Sequence, residues 1–401
     1  MSFRRYIIIP AMVVARLAFA QDTASAPVDT SYVEESESPI SLPLGVGLRT
    51  PAYDRVNGAS IPWGPRIQLG EEMLLIDPIV TYRSNLGDWD PSLEIVAKPG
   101  YANEFKIYVG RSTFSNDNWI RSDIVNSLAA LGVGSDARNY YRADRAVARY
   151  TRSLTTTALT FTPYAFGNIE NDWSTGSLAP VKTPWSFYGR KDGLRMRRPN
   201  PPAVKRHIGS FGGGTGVEYF REGVDVQLDV GVEHALSGSD PACLASPGGL
   251  ICGAPQPGFT QTTVDSRAEF PTFGKQSFLF RGHALVGDAS GIPQRYGYLG
   301  GAGTLATVNL LAIGGDRLLY VEGEYRIPVR LVQLPFLGSP YLALRYAAGN
   351  AGVGGLPALI QNVGPALGMG FLRVDYAIDP SSNRSPFSRR SAVTFGISLD
   401  F

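Results

Sequence analysis

Cysteine and histidine are nearly absent from this sequence: 401 residues contain 2 Cys and 3 His. Four cysteines for an iron–sulfur cluster are not present, the loop that carries both cysteines has no His to complete a zinc site, and no H-E-x-x-H, C-x-x-C or Walker loop occurs. An excess of one charge is missing too. Lys plus Arg number 37 and Asp plus Glu 35, leaving a net +2. No global bias argues for a nucleic-acid partner. Long apolar runs are also missing. Beyond the N-terminus no stretch approaches the ~20 apolar residues of a transmembrane helix. What is abundant is glycine, at 46, with 19 Tyr and 19 Phe. Aromatic girdles and crowded glycine-lined strands suit a membrane β-barrel. A soluble β-sandwich has the same composition, so composition does not choose.

The N-terminus narrows the choice. Arg4 and Arg5 precede an apolar run from Tyr6 to Ala15, broken by Pro10, and Ala18-Phe19-Ala20 is an A-x-A site before Gln21. Residues 1–20 read as a secretory signal peptide, with Arg16 an unusual feature; an uncleaved helical anchor is the alternative. Residues 21–41 are acidic and Ser/Thr-rich, which predicts a disordered periplasmic linker. Residues 42–401 show period-2 alternation broken by Gly, Pro, Asn and Asp clusters. In Val224 to Val232 the even-numbered Val and Leu share one face, with Asp225, Gln227 and Asp229 on the other. In Leu319 to Val329, Leu319, Val321, Tyr325 and Ile327 oppose Tyr320, Glu322, Glu324 and Arg326. Successive strand side chains point to opposite faces, so each strand has one greasy and one charged side. Many such strands without covering helices predict an all-β, transmembrane antiparallel β-barrel with lipid outside and a polar lumen.

Connection lengths test this independently, since such barrels alternate short turns with longer loops. Counting back from Phe401, short connections fall at Pro271–Lys275, Arg221–Gly223, Arg152–Thr155, Pro99–Ala102 and Leu69–Glu71. Long ones fall at Asp379–Arg390, Asp288–Asp316, Ser237–Phe259, Gly167–His207 and Phe114–Tyr140. The count is about 16 strands, an even number as expected. It requires splits near Gly368-Met369-Gly370 and near Asn57-Gly58.

Three loops carry their own signals. Ile120, Ile124, Leu128 and Leu131 recur at helical spacing, predicting a short helix over Trp119–Leu131 packed on the barrel rim, or binding a partner. Cys243 and Cys252 share one Pro/Gly-rich surface loop, and in an oxidising compartment a local disulfide is expected. Arg190 to Arg206 holds seven basic residues against Asp192. Such a loop is either solvated or in contact with lipopolysaccharide phosphates.

The C-terminal stretch contains Pro293-Gln294-Arg295-Tyr296-Gly297-Tyr298-Leu299-Gly300-Gly301-Ala302-Gly303-Thr304-Leu305. Then come Gly314-Gly315-Asp316-Arg317 and Gly323-Glu324-Tyr325-Arg326-Ile327-Pro328, followed by Ala348-Gly349-Asn350, Leu372-Arg373-Val374-Asp375-Tyr376-Ala377 and a closing Ser391–Phe401. In this order the segments resemble the bacterial surface antigen superfamily, the barrels of BamA-type assembly factors and two-partner-secretion translocators. The resemblance implies that a glycine-rich loop returns into the lumen. It also marks two departures. Where the family has an Arg-Gly pair after the loop tip, this chain has Ala306-Thr307, and where it has a partner Asp, this chain has Ala347. Both halves of the family's luminal lock are gone together, as the cost of one unpaired buried charge requires. With only residues 21–41 before the barrel, the chain reads as a barrel-only member without the family's POTRA repeats.

Four expectations follow. Asp288–Asp316 folds inward, with Arg295, Gly300, Gly301 and Gly303 as its working residues and Arg295 paired to Glu322, Glu324 or Asp375. Glu322, Glu324, Arg326, Arg373 and Asp375 are lumen charges. Val393, Phe395, Ile397, Leu399 and Phe401 face lipid and form the assembly signal of the closing strand. Insertion or translocation of a polypeptide or lipid client at the outer membrane, without cofactor or catalysis, is the leading function. A passive pore is the first rival and a surface lipolytic enzyme the second. His234 near Ser237 and Asp240 is the latter's only serine–histidine signal, and a loop histidine is the simpler account. The string Gly301 to Ala306 fits a dinucleotide G-x-G-x-x-A but opens no helix after a strand.

Overall fold

The computed structural model describes residues 39–401 apart from 71–72, 101, 176–197, 199, 237–240, 247–248, 256–257, 290, 330–338, 371, 382–386 and 398–401. The segment read as a signal peptide and most of the one read as a linker fall outside the described residues. Among the described residues, sixteen strands form one antiparallel meander. They are β1 (Ile40–Ser41 and Ala52–Asp54), β2 (Gly58–Trp63 and Arg66–Leu69), β3 (Leu74–Arg83), β4 (Asp88–Ala97) and β5 (Asn103–Phe114). Helix α1 (Asp123–Val133) precedes β6 (Tyr141–Arg152 and Leu154–Thr155), β7 (Leu159–Trp173), β8 (Arg206–Arg221) and β9 (Val224–Ala235). The remainder are β10 (Phe259–Pro271), β11 (Ser277–Gly287), β12 (Arg317–Pro328), β13 (Tyr341–Gly352), β14 (Ile360–Met369), β15 (Leu372–Ile378) and β16 (Ser391–Ile397). Each pairs with its sequence neighbours. Both splits exist, at 55–57 and after Met369, so the even count stands. Pro65 interrupts β2, since proline cannot donate to a ladder.

Two boundaries differ from the sequence reading. The turn expected at Arg152–Thr155 lies at 156–158, because Leu154 and Thr155 stay paired with β7 and the Thr156 amide donates to the Leu159 carbonyl at 2.8 Å. The long loop expected from Gly167 begins after Trp173. The segment from Asn168 to Asp172 continues the alternation, with Asn168, Glu170 and Asp172 buried and Ile169 57% exposed.

The sheet has two unlike faces. Leu93, Phe105, Ile107, Phe211, Leu342, Leu344, Leu367, Val393 and Phe395 are exposed on the outside. The other face carries the charges and borders a single cavity of about 760 Å³ that residues of β8 to β12, β13, β15 and β16 line together. A sheet whose distant strands share one cavity must curl around it, and α1 lies beside both β1 and β16. The result is an antiparallel transmembrane barrel. Among the described residues no helix is long and apolar enough to cross a membrane. Nor, among them, does any register join β16 to β1.

Helix α1 starts later than expected, at Asp123. The Ser122 hydroxyl caps it by accepting from the Val125 amide, and left-handed Gly134 ends it. The face it buries is also different. Val125, Asn126, Ala129 and Ala130 are buried, whereas Ile124, Leu128 and Leu131 of the expected packing stripe are exposed. The reason is the returning loop. Asn126 bonds Asp136 and the Ala137 amide, which turns that side inward.

Candidate functional site

The segment 288–316 folds into the barrel. A short hairpin of Gly297–Leu299 and Ile313–Gly315 carries it inward, and the tip Gly300–Leu305 turns beneath. Gly300 has φ +123°, and a Cβ there would stand 2.1 Å from the Asn309 carbonyl oxygen. Only glycine allows the two arms to approach so closely. Leu299 and Leu305 are fully buried and pack with Val308, Ile313, Leu318, Tyr320, Ala347 and Ile360. Ala347, where the resembled family has its Asp, is thus a small apolar contact for the loop. Thr307 takes the neighbouring place of the lost arginine pair. Its amide donates to Asn362 Oδ1 at 3.0 Å, and Asn362 Nδ2 donates to the Thr307 hydroxyl at 2.8 Å. The far arm pairs with the last loop through Val308 and Ser388.

The tip is gripped by three arginines. Arg121 Nη2 donates to the Ala302 carbonyl at 3.0 Å, Arg281 Nη2 to Gly303 at 2.5 Å and Arg345 Nη2 to Thr304 at 2.8 Å. Glu322 organises two of them, at 2.7 Å from Arg345 and 4.0 Å from Arg281. Tyr320 donates its hydroxyl to Glu322 and accepts from Arg345 at 2.9 Å. The polarity of the expected lock is inverted. The wall, through Arg281 and Arg345, and the segment before α1, through Arg121, supply the guanidinium groups, and the loop supplies backbone carbonyls, which every residue has. A tip without charged side chains therefore loses nothing by Ala306.

Arg295 holds the root of the loop, with different partners from those expected. Its guanidinium pairs with Glu170, reaches Glu233 at 3.4 Å and donates to the Tyr141 hydroxyl at 3.1 Å. Arg145 shares Glu170. Glu322, Glu324 and Asp375 are not its partners, because Arg295 lies at the long-loop end and they lie deeper. Glu170 escaped the sequence reading because its strand was cut short at Gly167. Arg345 escaped it although one signal exists: a lone charge among the exposed leucines of Leu342-Ala343-Leu344-Arg345.

Glu324, Arg326, Arg373 and Asp375 come together below the tip. Arg373 reaches Glu324 at 2.5 Å and Asp375 at 2.7 Å, and Arg326 reaches Glu324 at 2.6 Å. With Glu322 of the tip grip they line the 760 Å³ cavity, whose roof is Gly303, Ala302 and the segment before α1. The lining residues of β9 to β12 and β15 lie toward the short turns, so the cavity fills that half of the lumen.

Above the plug the long loops interlock. Arg55 pairs with Asp136 at 3.2 Å, and Arg198 donates to the Arg138 carbonyl at 2.6 Å. Burial first, then the neighbouring Arg55, lowers the Arg198 pKa to about 10. Arg206 is likewise buried, at 4% exposure. Two members of the supposed surface-basic run therefore face inward as cap residues. Lys205 is exposed, and Arg190, Lys191, Arg195 and Arg197 lie outside the described residues. Asp117, 1% exposed in the same cap, accepts from the Asn139 amide at 2.8 Å, and burial pushes its carboxyl up to about 7.

Cys243 and Cys252 stand directly opposite each other in a hairpin of Pro241–Ser246 and Gly249–Pro255. Opposed Cα atoms in antiparallel strands are roughly 4.5–5.5 Å apart, within disulfide reach. His234 Nδ1 lies 2.9 Å from the Thr260 hydroxyl, and Ser237 and Asp240 fall outside the described residues. His283 pairs with Asp265 at 2.6 Å and stacks on Trp119. Among the described residues no metal-holding group of His, Cys, Asp and Glu occurs. On β16, Val393 and Phe395 are exposed outward, at 57% and 68%. Of Ile397 the backbone is placed in β16; Leu399 and Phe401 lie outside the described residues.

No family model and no curated protein matches the chain. Among solved structures, BamA from Haemophilus ducreyi lacking POTRA domains 1–3 is similar at 10% identity and TM-score 0.51, over 86% of this chain and 68% of that one. CdiB from Escherichia coli matches at 12% identity and TM-score 0.46, and CdiB from Acinetobacter baumannii at 10% and 0.45. This chain spans 60% and 58% of those two. The BamA likeness shows the fold, a barrel of the same architecture.

Proposed function

We propose that this chain is an outer-membrane barrel of the surface antigen superfamily that inserts or translocates polypeptide or lipid, with a lumen closed at rest. One observation carries the reading: three arginines hold the loop tip inside the barrel by its carbonyls. A passive pore has no use for a gripped plug. The ordered motifs from Pro293 to Phe401 support the superfamily, and the BamA-like fold is compatible with it. The outer membrane is the proposed site, lipid and lipopolysaccharide the proposed surroundings, and the chemistry non-catalytic. We also read Cys243–Cys252 as a disulfide; thiol titration of the unfolded, unreduced chain then finds none.

The test pairs two measurements on purified protein. In planar bilayers the wild type conducts little, and deletion of 300–305 opens a steady conductance. In vesicles carrying the protein, a small unfolded outer-membrane barrel inserts faster than in empty vesicles. Large wild-type conductance with no acceleration would establish the passive pore instead.

A further inference from the structure

Helix α1 does not sit where a rim helix would need to sit. Ser127, on its flank, forms two hydrogen bonds to one residue of β1. The Tyr53 amide donates to Ser127 Oγ at 2.6 Å, and Ser127 Oγ donates back to the Tyr53 carbonyl at 3.1 Å. The side of β1 on which this happens follows from register. Tyr53 opposes Ala59 of β2. Ala59 directs its own backbone groups toward β3, donating to Ser84 Oγ at 2.8 Å and accepting from the Ser84 amide at 2.9 Å. In an antiparallel ladder a residue's N–H and C=O point the same way, and opposed residues outside a bonded pair point apart. The Tyr53 groups therefore point to the outer edge of β1, away from β2. In a closing barrel that edge belongs to the last strand, and α1 also lies beside β16. An uncovered strand edge is a template for unwanted pairing, and covering it with a helix is one of the ways proteins blunt it.

We propose that α1 is a wedge in the seam between β1 and β16, with Ile124, Leu128 and Leu131 forming its lipid-facing edge. Rotation about the helix separates its faces. Val125 and Ser122 line the lumen cavity, and Ile124, Leu128 and Leu131 do not. Those three are 60%, 44% and 42% exposed, and Ser127 lies at their border on the β1 side. They extend the apolar outer face of the sheet, where Val393 and Phe395 of neighbouring β16 are exposed in the same way. The occupant of this surface is acyl chain near the outer interface, since Tyr53 is only a few residues from the 55–57 turn. The inference rests on the membrane reading above.

Spin labels separate the two claims. The chain is reconstituted with Cys243 and Cys252 replaced by Ser, and nitroxides are placed at Leu128→Cys and, as control, Phe395→Cys. Relaxation by oxygen, which concentrates in lipid, is compared with relaxation by a water-soluble nickel chelate. Both labels should respond to oxygen and be shielded from nickel. A nickel-accessible Leu128→Cys beside an oxygen-accessible Phe395→Cys overturns the wedge and leaves the membrane barrel standing. Nickel access at Phe395→Cys overturns the membrane reading itself. Independently, Ser127→Ala should raise amide exchange at Tyr53 by roughly tenfold, the equivalent of one lost hydrogen bond. Unchanged exchange would show that Ser127 does not close the edge.

Discussion

The two halves of the lumen use the same residue types to opposite ends. Toward the long loops, arginines are consumed in holding the chain: Arg295 on Glu170, and Arg121, Arg281 and Arg345 on tip carbonyls. Leu299, Leu305 and Tyr320 are fully buried among them. Toward the short turns, Arg326, Arg373, Glu324 and Asp375 neutralise one another around a cavity and, among the described residues, hold no loop. A charge network is therefore not in itself a plug lock. What distinguishes the upper network is that a backbone segment completes it. Removing Arg345 there costs both an ion pair and a hold on the loop tip.

The largest effect is expected at Arg345. Arg345→Ala leaves Glu322 buried with the Tyr320 hydroxyl and a distant Arg281, and takes the Arg345 donor from the Thr304 carbonyl. Breaking one side of a buried pair costs about 3–5 kcal/mol. Amide exchange in 300–305 should accelerate while the strands stay protected. The double variant Arg345→Met with Glu322→Gln sharpens the point. It removes both charges, so it should be milder than Arg345→Ala alone. Equal damage would mean that the grip on the carbonyl, not the stranded carboxylate, dominates.

At the loop root, Arg295→Ala should cost less. Buried Glu170 keeps Arg145 at 2.5 Å, and Glu233, partly exposed, keeps the Ser210 hydroxyl at 2.7 Å. The loss is that of charged hydrogen bonds, about 1.5–3 kcal/mol. The measurement is proteolysis within 288–296, which should increase without release of the tip. Release of the tip by this variant would show that root and tip are one cooperative unit.

Asp117 makes the cap sensitive to pH. Its folded pKa, about 7, lies above its ordinary value of 3.8 because burial disfavours the carboxylate. The folded cap therefore binds the proton more tightly than the unfolded chain does. The stabilisation is complete below about pH 4, declines as pH rises through about 7, and is flat beyond. Asp117→Asn should abolish the dependence and leave the cap more stable than wild type at about pH 8. Amide exchange across 115–140 at several pH values reports it, and a wild-type cap indifferent to pH would contradict the assignment.

Sixteen strands were legible because each strand's two faces meet different solvents, which imposes period 2, and because several turns are short and carry a glycine, as at Gly70, Gly100, Gly223 and Gly274. The inward loop was legible from its glycines. Its fastening was not. Carbonyl acceptors have no sequence signature, so a lock made of arginines and backbone leaves only isolated arginines such as Arg345 and Arg281 to be noticed. The helix face was misjudged for a related reason. Spacing identifies an apolar stripe at Ile124, Leu128 and Leu131, but whether protein or lipid covers it depends on where the loop docks. Glu170 was lost to a strand boundary, because Gly167 inside a long strand resembles its end.

The smallest effect is expected in the lower network. Arg326 contacts Glu324 at 2.6 Å, but Glu324 also holds Arg373 at 2.5 Å. Arg326→Ala therefore leaves Glu324 paired with Arg373. The network borders a cavity of about 760 Å³, large enough for water to solvate what remains. Thermal unfolding of the barrel should shift little, and exchange in 300–305 should not change at all. In planar bilayers the wild type and Arg326→Ala should be equally closed, since the plug lies above. In the background lacking 300–305, where the lumen is open, Arg326→Ala removes a positive charge from the path and should shift ion preference toward cations. A conductance rise from Arg326→Ala alone would mean that the lower charges do hold the plug, and the division between the two halves would fail.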